Sequence, residues 1–263
     1  MAPQHFAGET ALVTGAGGGI GEGVARELAA AGAEVLLADI DTARGEAVIA
    51  SLRAGGARAS FVPADLAARD EADALLARIG EAPISLFVHA ASPTRGAGET
   101  VDVVSAEAWD RMLDVNLRSG FFLGRALGNR WAATGTRGRM VFVTSLHADT
   151  PRNLAHYSAA KAGQVMVVRE LARFFGPAGI RVNAVAPGAI PGGGFSADFA
   201  ALAARIPLRR VGTPADVARA VAMLLSDAAT GYVTGAVLPV DGGLALFNWI
   251  DAASAPAVTP DTA

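Results

Sequence analysis

The stretch ALVTGAGGGIG, residues 11–21, joins a short apolar run to a turn that holds five glycines. The run 11–14 is typical of a buried β-strand, and helical spacing begins at residue 20. Glycine adopts backbone angles and permits close approaches that other residues do not. A helix that starts directly after such a turn offers free N–H groups and the positive end of its dipole to an anion. The stretch therefore predicts a strand, a turn and a helix that together bind phosphate.

Asp39 ends the next apolar run, VLLAD at residues 35–39. A glycine-rich turn between strand and helix, followed by a carboxylate further on, is the pattern of a dinucleotide site. The carboxylate can bond to the adenosine ribose hydroxyls but repels the 2′-phosphate of NADP, so the sequence favours NAD. Two alternatives stay open: the turn can be a plain connection, and Asp39 or Asp41 can simply cap the next helix. Arg44 is the residue that would weaken the preference for NAD.

Seven short apolar runs alternate with longer stretches of helical spacing. The runs are continuously apolar, as in strands of a parallel sheet that helices cover on both faces. They lie at residues 11–14, 35–39, 59–63, 84–90, 140–144, 182–186 and 236–240. The helical stretches lie at residues 20–31, 42–54, 69–79, 106–131, 157–175 and 214–225. This order predicts an α/β fold, a doubly wound Rossmann-type parallel sheet of about seven strands with helices on both faces.

The chain shows no internal linker. No proline-rich or serine-rich segment divides the alternating pattern, so we expect a single domain over residues 1–250. Residues 251–263 are small and polar with prolines, and we expect them to form a flexible tail.

The composition narrows the function classes. A chain of 263 residues that is 52% hydrophobic and 18% charged fits an extensively buried domain. A net charge of −3 gives no broad basic field, so a small molecule is a better partner than nucleic acid. The lack of cysteine excludes disulfides, thiolate nucleophiles and cysteine-bound metals, and we predict no metal site. Residues 1–8 show no secretory signal and no long apolar run follows, so we expect a cytoplasmic protein without a membrane span.

Tyr157 and Lys161 lie four residues apart in the helical stretch 157–175, which places them on one helix face. A phenol is a weak base at neutral pH, but a neighbouring cation favours the phenolate. The pair can therefore accept and return a proton. Such a spacing also arises by chance on many helices, so the pair alone does not establish catalysis.

Two further polar residues strengthen this interpretation. Ser145 follows the strand 140–144, at the sheet edge where ligands of open α/β folds bind, and its hydroxyl can orient a substrate oxygen. Asn116 is an amide among apolar residues that needs hydrogen-bond partners and can hold a water in a proton path. For either residue alone, a helix cap or a satisfied buried polar group is an equal alternative.

The sequence resembles the short-chain dehydrogenase/reductase family. The features that carry the resemblance occur in this order: the glycine turn, Asp39, Asn116, Ser145, Tyr157 and Lys161. The resemblance covers residues 6–246. Further matches are Asp65-Leu66 after the third strand, Pro187-Gly188 after the sixth, and Val240-Asp241-Gly242-Gly243 near the end.

The resemblance implies a role for each matching residue. Asn116 would belong to a proton relay, Ser145 would stabilise the substrate oxygen, and Tyr157 would be the acid and base. Lys161 would support Tyr157 and hold the nicotinamide ribose. The implied cofactor contacts are Gly15, Gly17, Gly18, Gly19, Ile20, Gly21, Asp39, Ile40, Asp65, Leu66, Ala90, Ala91, Tyr157, Lys161, Pro187, Gly188 and Ile190.

The sequence departs from the family pattern in three places. The family's Asn-Asn-Ala-Gly after the fourth strand is His89-Ala90-Ala91-Ser92 here, so the amide that ties this turn is replaced by Ala90 and we expect different support. The gap from Ser145 to Tyr157 is one residue short, which makes Thr144 an alternative match, although the strand boundary favours Ser145. Pro191-Gly192-Gly193-Gly194 follows Ile190 where relatives often carry a threonine, and the Ile190 amide can still contact the cofactor.

The substrate is predicted from weaker signals. Residues 191–206 occupy the position of a substrate lid, in which glycines precede Phe195, Phe199 and Leu202. Ser145, His147, Arg152 and Arg95 are candidate substrate contacts that could recognise hydroxyls or an acid. Backbone bonding of His147 and solvation of the arginines are the alternatives.

These residues predict an NAD-dependent oxidoreductase that interconverts a secondary alcohol and a ketone, such as a sugar, a polyol or another small hydroxylated compound. A 3-oxoacyl-thioester reductase and a non-catalytic nucleotide sensor are the alternatives. The apolar run 244–250, with Phe247 and Trp249, and the resemblance together predict a homotetramer.

Overall fold

A computed structural model describes residues 5–95, 99–192 and 198–246 of the chain. Its centre is a single sheet of seven parallel strands in the order β3-β2-β1-β4-β5-β6-β7. The strands are β1 Thr10–Thr14, β2 Glu34–Asp39, β3 Ala59–Pro63, β4 Ile84–His89, β5 Arg139–Val143, β6 Arg181–Pro187 and β7 Val237–Val240. The predicted doubly wound α/β fold is confirmed, and all seven strands lie within two residues of their expected bounds.

The helices cover both faces of the sheet. They are α1 Gly19–Ala30, α2 Thr42–Ala54, α3 Glu71–Ile79, α4 Ala106–Leu113, α5 Ser119–Thr134, α6 Ala155–Phe175, α7 Phe199–Arg205, α8 Pro214–Leu225 and α9 Asp227–Thr230. Side chains of α1, α2 and α8 form one apolar core with the sheet, and those of α3, α5 and α6 form a second on the other face. Burial on both faces explains why the strands read as continuous apolar runs.

The single helix expected over residues 106–131 is three successive segments. A π-helical segment, Asp114–Arg118, separates α4 from α5. Within it, the Asn116 side-chain nitrogen donates to the Met112 carbonyl oxygen at 3.0 Å. The Asn116 carbonyl oxygen accepts from the Gln164 side chain at 2.6 Å. Apolar spacing alone does not reveal such a change of helix type, which depends on these side-chain bonds.

Local sequence explains where helices begin. The Asp41 carboxylate accepts the Arg44 backbone N–H and caps α2. Thr213 and Asp216 form a reciprocal capping box at the start of α8. Such caps satisfy N–H groups that have no partner in the helix.

The chain reverses its winding between β1 and β4, which are neighbours in the sheet. Connections from these two strands lead to opposite sides, so a crevice opens at their carboxyl ends. No described helix is both long and apolar enough to span a membrane. The expected tail 251–263 and residues 247–250 lie outside the described part of the chain.

Candidate dinucleotide and substrate site

A cavity of about 680 Å³ occupies the carboxyl edge of the sheet. Most of the residues predicted to form a site line it: Gly15, Gly17, Gly18, Gly19, Ile20, Gly21, Asp39, Ile40, Ala90, Arg95, Ser145, His147, Arg152, Tyr157, Lys161, Pro187, Gly188 and Ile190. Residues that are up to 175 positions apart in the chain are thus brought to one wall, because parallel strands end at the same edge.

Four predicted site residues do not line this cavity. Leu66 and Ala91 are buried in the apolar core. Asp65 is exposed, and its side chain accepts the Ala67 backbone N–H at 3.1 Å. Asn116 is completely buried behind the wall. Contact of Asp65 and Leu66 with the cofactor, and a relay through Asn116, therefore stay predictions.

The glycine turn forms a cradle that side chains would fill. A Cβ on Gly15 would lie 2.5 Å from the Ala91 Cα, and one on Gly21 would lie 2.1 Å from the Gly15 carbonyl oxygen. Gly15 also has φ +68°, a conformation that other residues rarely adopt. Gly18 precedes α1 without a side-chain cap. The first N–H groups of α1 are therefore available to an anion, and the cradle fits the pyrophosphate of a dinucleotide.

Asp39 lies beside this cradle at the end of β2. Its Oδ2 accepts the Gly17 N–H at 2.8 Å, and its Oδ1 accepts the Asp41 N–H at 2.9 Å. Asp41, not Asp39, caps α2. The helix-cap alternative thus applies to Asp41 alone. Asp39 has a fixed carboxylate on the cavity wall, which is the position that recognition of a ribose requires.

Tyr157 and Lys161 lie on the buried face of α6, with 8% and 2% of their surfaces exposed. The Lys161 Nζ is 5.5 Å from the centre of the Tyr157 ring and donates to the Val143 carbonyl oxygen at 2.8 Å. Burial, and next the charge of Arg95, lower the pKa of Lys161 to about 7.

The hydroxyls of Thr144 and Ser145 are used differently. The Thr144 hydroxyl donates to the Val185 carbonyl oxygen at 2.7 Å, so its proton is already used in a hydrogen bond to β6. The Ser145 oxygen accepts the His147 backbone N–H at 3.2 Å. That leaves the Ser145 proton free to bond to a substrate oxygen. Of the two alternatives for the serine position, the geometry favours Ser145.

His89 supplies the support that Ala90 lacks. Its Nδ1 lies 2.9 Å from the Thr14 hydroxyl oxygen, and its Nε2 lies 3.0 Å from the Asn116 carbonyl oxygen. A carbonyl only accepts, so Nε2 carries the proton and Nδ1 accepts from Thr14. Burial, followed by the charge of Lys161, lowers the pKa of His89 to about 4, which keeps the imidazole neutral near pH 7. His89 thus ties the end of β1 to the π-helical segment.

The sequence predicted different support for this turn, because Ala90 replaces the family's amide, but it did not identify His89 as that support. The signal was present: His89 occupies the first of the four turn positions and carries a side chain with two hydrogen-bonding atoms. Its fully buried environment decided the role, and burial of a single polar residue is not visible in the sequence.

Two of the predicted substrate contacts, His147 and Arg95, lie against Tyr157. The His147 ring packs edge-on against Tyr157 with 5.1 Å between ring centres. The Arg95 Cζ lies 4.6 Å above the centre of the same ring. Burial, then Arg95 and Arg152, lower the pKa of His147 to about 4. His147 is therefore a neutral group beside the tyrosine, surrounded by positive charge.

The described part of the expected lid forms one side of the cavity. The lid residues that line the cavity are Pro191, Gly192, Asp198, Ala201, Leu202 and Arg205. Gly193, Gly194 and Phe195 lie outside the described residues. The Asp198 carboxylate caps α7 by accepting the N–H groups of Ala200 and Ala201. Sequence reasoning missed Arg205 and Arg111 as cavity residues. Arg205 could have been noticed as the only charge in the alanine-rich segment 199–205.

Comparisons with known proteins agree with this geometry. A family model described as Enoyl-(Acyl carrier protein) reductase matches residues 15–245. A cis-4-hydroxycyclohexanecarboxylate dehydrogenase from Sinomonas cyclohexanicum is 39% identical over 248 residues, covering 91% of this chain and 98% of that protein.

Two solved structures extend the comparison. The crystal structure of a putative 2-deoxy-D-gluconate 3-dehydrogenase from Agrobacterium tumefaciens, with bound NADP, has a TM-score of 0.84 and 35% identity. The matched region covers 94% of this chain and 100% of the Agrobacterium tumefaciens chain. A 3-ketoacyl-(acyl-carrier-protein) reductase from Brucella melitensis, complexed with NADH, has a TM-score of 0.82 and 34% identity over 91% of this chain and 99% of that one.

Proposed function

The chain belongs to the short-chain dehydrogenase/reductase family, and we propose that it is an NAD-dependent enzyme that interconverts a secondary alcohol and a ketone. The observation that carries the proposal is the shared cavity. The glycine cradle, Asp39, Ser145, Tyr157 and Lys161 all line one wall of it. A dinucleotide in the cradle and an alcohol at Tyr157 would therefore occupy adjoining parts of the same space.

The residues of this chain perform the proton half of the reaction. When bound, the nicotinamide takes up or supplies the hydride. In oxidation the Tyr157 phenolate accepts the alcohol proton while the carbinol C–H electrons leave as hydride, so that the C–O bond becomes a carbonyl. In reduction Tyr157 returns the proton. Ser145 donates a hydrogen bond to the reacting oxygen, and protonated Lys161 stabilises the phenolate.

Cofactor binding follows from the same wall. The N–H groups at the start of α1 bind the pyrophosphate, and Asp39 accepts from the adenosine ribose. Pro187, Gly188 and Ile190, which line the same cavity, would hold the nicotinamide end of the cofactor. Asp39 supports NAD as the cofactor, because its negative charge opposes a 2′-phosphate.

The substrate is a small hydroxylated compound such as a sugar or a polyol. Ser145, neutral His147 and the arginines give the cavity wall beside Tyr157 a polar lining that suits such molecules. A wall of this kind, next to the apolar residues Leu202 and Leu244, accommodates a compact skeleton with several oxygens.

The test is a panel of alcohols and ketones assayed with each cofactor by the absorbance of the reduced nicotinamide. Tyr157→Phe should lower kcat by about 10²- to 10⁴-fold, because it removes the proton carrier and leaves the ring. Tyr232→Phe is the matched control, since Tyr232 is fully exposed and is the other of the two tyrosines. A protein that binds NADH but turns over nothing, or a Tyr157→Phe variant with full activity, contradicts the proposal and favours a nucleotide sensor.

A 3-oxoacyl-thioester reductase is the second candidate. The similarity to the Brucella melitensis 3-ketoacyl-(acyl-carrier-protein) reductase favours it, and the description of the matching family model also names a reductase of acyl-carrier-protein thioesters. A preference for NADPH, together with turnover of acetoacetyl thioesters above that of simple ketones, would select this function over the first.

We also propose that the enzyme is a cytoplasmic homotetramer. Exposed apolar side chains on the described surface, including Met166 and Phe174 of α6, are suitable interface residues. Light scattering coupled to size-exclusion chromatography measures the assembly, and a monomer contradicts the proposal.

A further inference from the structure

Arginines are numerous in the lining of the cavity. Arg44 lies beside the glycine cradle, and four others also line the cavity: Arg95, Arg111, Arg152 and Arg205. The carboxylates of the same wall are Asp39 and Asp41 beside the glycine cradle and Asp198, whose oxygen is used to cap α7. Arginines therefore outnumber carboxylates in the lining, and Arg95 among them lies over the ring of Tyr157.

None of these four arginines forms an ion pair with another described residue. By contrast, Arg44, which also lines the cavity, pairs with Asp41. Arg95 instead lies over the ring of Tyr157 at 4.6 Å. A guanidinium in that position has donors that remain free to bind a ligand.

Two of the arginines act on the reaction centre itself. The charges of Arg95 and Arg152 both lower the pKa of His147, which contacts Tyr157. Arg95 also lowers the pKa of Lys161. The cations therefore repel one another around the tyrosine, and an anion bound among them would reduce that repulsion and favour protonated Lys161.

We propose that the substrate carries a carboxylate, which Arg95 and Arg152 bind beside Tyr157. The inference rests on the proposed function, because it places the carboxylate on the molecule whose hydroxyl reacts at Tyr157. Guanidinium groups bind carboxylates through paired, charge-assisted hydrogen bonds. The substrate class is thus a compact hydroxy acid or the corresponding keto acid, and Arg95 and Arg152 determine specificity for it.

The cofactor does not account for these charges. Its pyrophosphate fits the N–H groups at the start of α1, and its adenosine ribose fits Asp39. Both lie at the ends of β1 and β2, whereas Arg95 lies over Tyr157 of α6. The position of Arg95 therefore points to an anion on the substrate rather than on the cofactor.

The test compares an acid with its neutral analogue in a binding measurement. Cyclohexanecarboxylate and cyclohexanecarboxamide are titrated by calorimetry into the full-length protein saturated with NADH. We expect the carboxylate to bind at least about tenfold more tightly than the amide, since charge-assisted bonds exceed neutral ones by about 1.4 kcal/mol or more. Arg95→Gln and Arg152→Gln should each reduce this ratio, and Arg95→Lys should retain more of it than Arg95→Gln.

Arg137→Gln is the matched control, because Arg137 is exposed and does not line the cavity. It should leave the ratio unchanged. Equal binding of acid and amide, no binding of either, or a ratio insensitive to both glutamine variants overturns the inference. The same holds if Arg95→Gln weakens NADH binding as much as it weakens carboxylate binding, because the charge would then serve the cofactor.

A parallel activity assay separates this inference from the proposed function. It uses 4-hydroxycyclohexanecarboxylate, gluconate and 3-hydroxybutyrate with their amides, and cyclohexanol as a neutral alcohol. A preference for neutral substrates refutes the carboxylate while supporting the dehydrogenase. Selective binding of cyclohexanecarboxylate without turnover of any alcohol or ketone supports the carboxylate site and refutes the dehydrogenase.

Discussion

Asp39→Asn should relax the choice between NAD and NADP. Asparagine keeps the shape of the side chain and one oxygen that can accept from Gly17 or Asp41, so it retains one of the two bonds that Asp39 forms at 2.8 and 2.9 Å. The change removes the negative charge. Its effect on cofactor choice therefore reports the electrostatic part of recognition rather than a collapse of the cradle.

The size of the effect follows from Coulomb's law and the position of the carboxylate. Asp39 is half-buried on an open cavity wall, which places the effective dielectric constant between those of protein surface and water. Two unit charges about 4 Å apart then interact by about 1 to 4 kcal/mol. Taking the lower half of that range, we expect the variant to gain about 1 to 2 kcal/mol toward NADP, or about 5- to 30-fold in kcat/KM. NAD should lose about 1 kcal/mol from a weaker bond to the ribose.

The assay is the ratio of kcat/KM for NAD to that for NADP with one saturating alcohol, measured for wild type and variant. The ratio should fall by about 30-fold or more in Asp39→Asn. Asp70→Asn is a control for loss of an exposed carboxylate outside the cavity. If Asp39→Asn changes the ratio by less than about threefold, another group sets cofactor choice, and Arg44 is the first to examine.

Two further predictions concern His89. His89→Ala should lower the free energy of unfolding by about 3 kcal/mol or more, because it opens a cavity and leaves the buried Thr14 hydroxyl without its partner. His89→Asn should lower the free energy of unfolding less. Urea unfolding at constant protein concentration measures both losses, and equal losses would contradict the assigned bonds. The pKa of His89 is lowered from 6.5 to about 4, so the unfolded chain binds more protons than the folded protein between pH 4 and 6.5. The free energy of unfolding should therefore fall as the pH decreases from 6.5 to 4, by up to about 3 kcal/mol from this group. The fall should be smaller in His89→Asn, and an identical fall in both proteins would refute the lowered pKa of His89.

The fold was predictable because its signals are local and repeated. Each parallel strand is buried on both faces and so reads as an apolar run, and the turn after β1 needs glycine because a Cβ at Gly15 or Gly21 would meet backbone atoms. The π-helical segment was not predictable in the same way. Asn116 forms it together with Gln164 and His89, which are distant in sequence, and no spacing within residues 106–131 records those contacts.

The sequence predicted those site residues that lie at the end of a strand, because the end of a strand determines which edge of the sheet they reach. Asp39, Ser145 and Pro187 each stand at or just after a strand end, so sheet topology alone brings them together. Residues on loops and on the lid differ. Arg205 and Arg111 reach the cavity through the packing of α7 and α4, which depends on tertiary contacts that one sequence does not reveal.

The departure at residues 89–92 has a structural reason, because one imidazole links the strand before the glycine cradle to the segment that carries Asn116. The Thr14 hydroxyl, directly before the glycine cradle, and the Asn116 carbonyl oxygen, on the opposite side of β4, both bond to one imidazole. An imidazole spans this gap with an acceptor and a donor on opposite sides of one rigid ring, and its lowered pKa keeps that pairing intact near pH 7. A protonated ring would present two donors, and the Thr14 oxygen would have to turn its proton away from Nδ1. The same side chain therefore holds both the cradle and the segment that carries Asn116. A substitution of His89 should for this reason change dinucleotide affinity and kcat together. A substitution of Ala90 does not break these two bonds and should not change both.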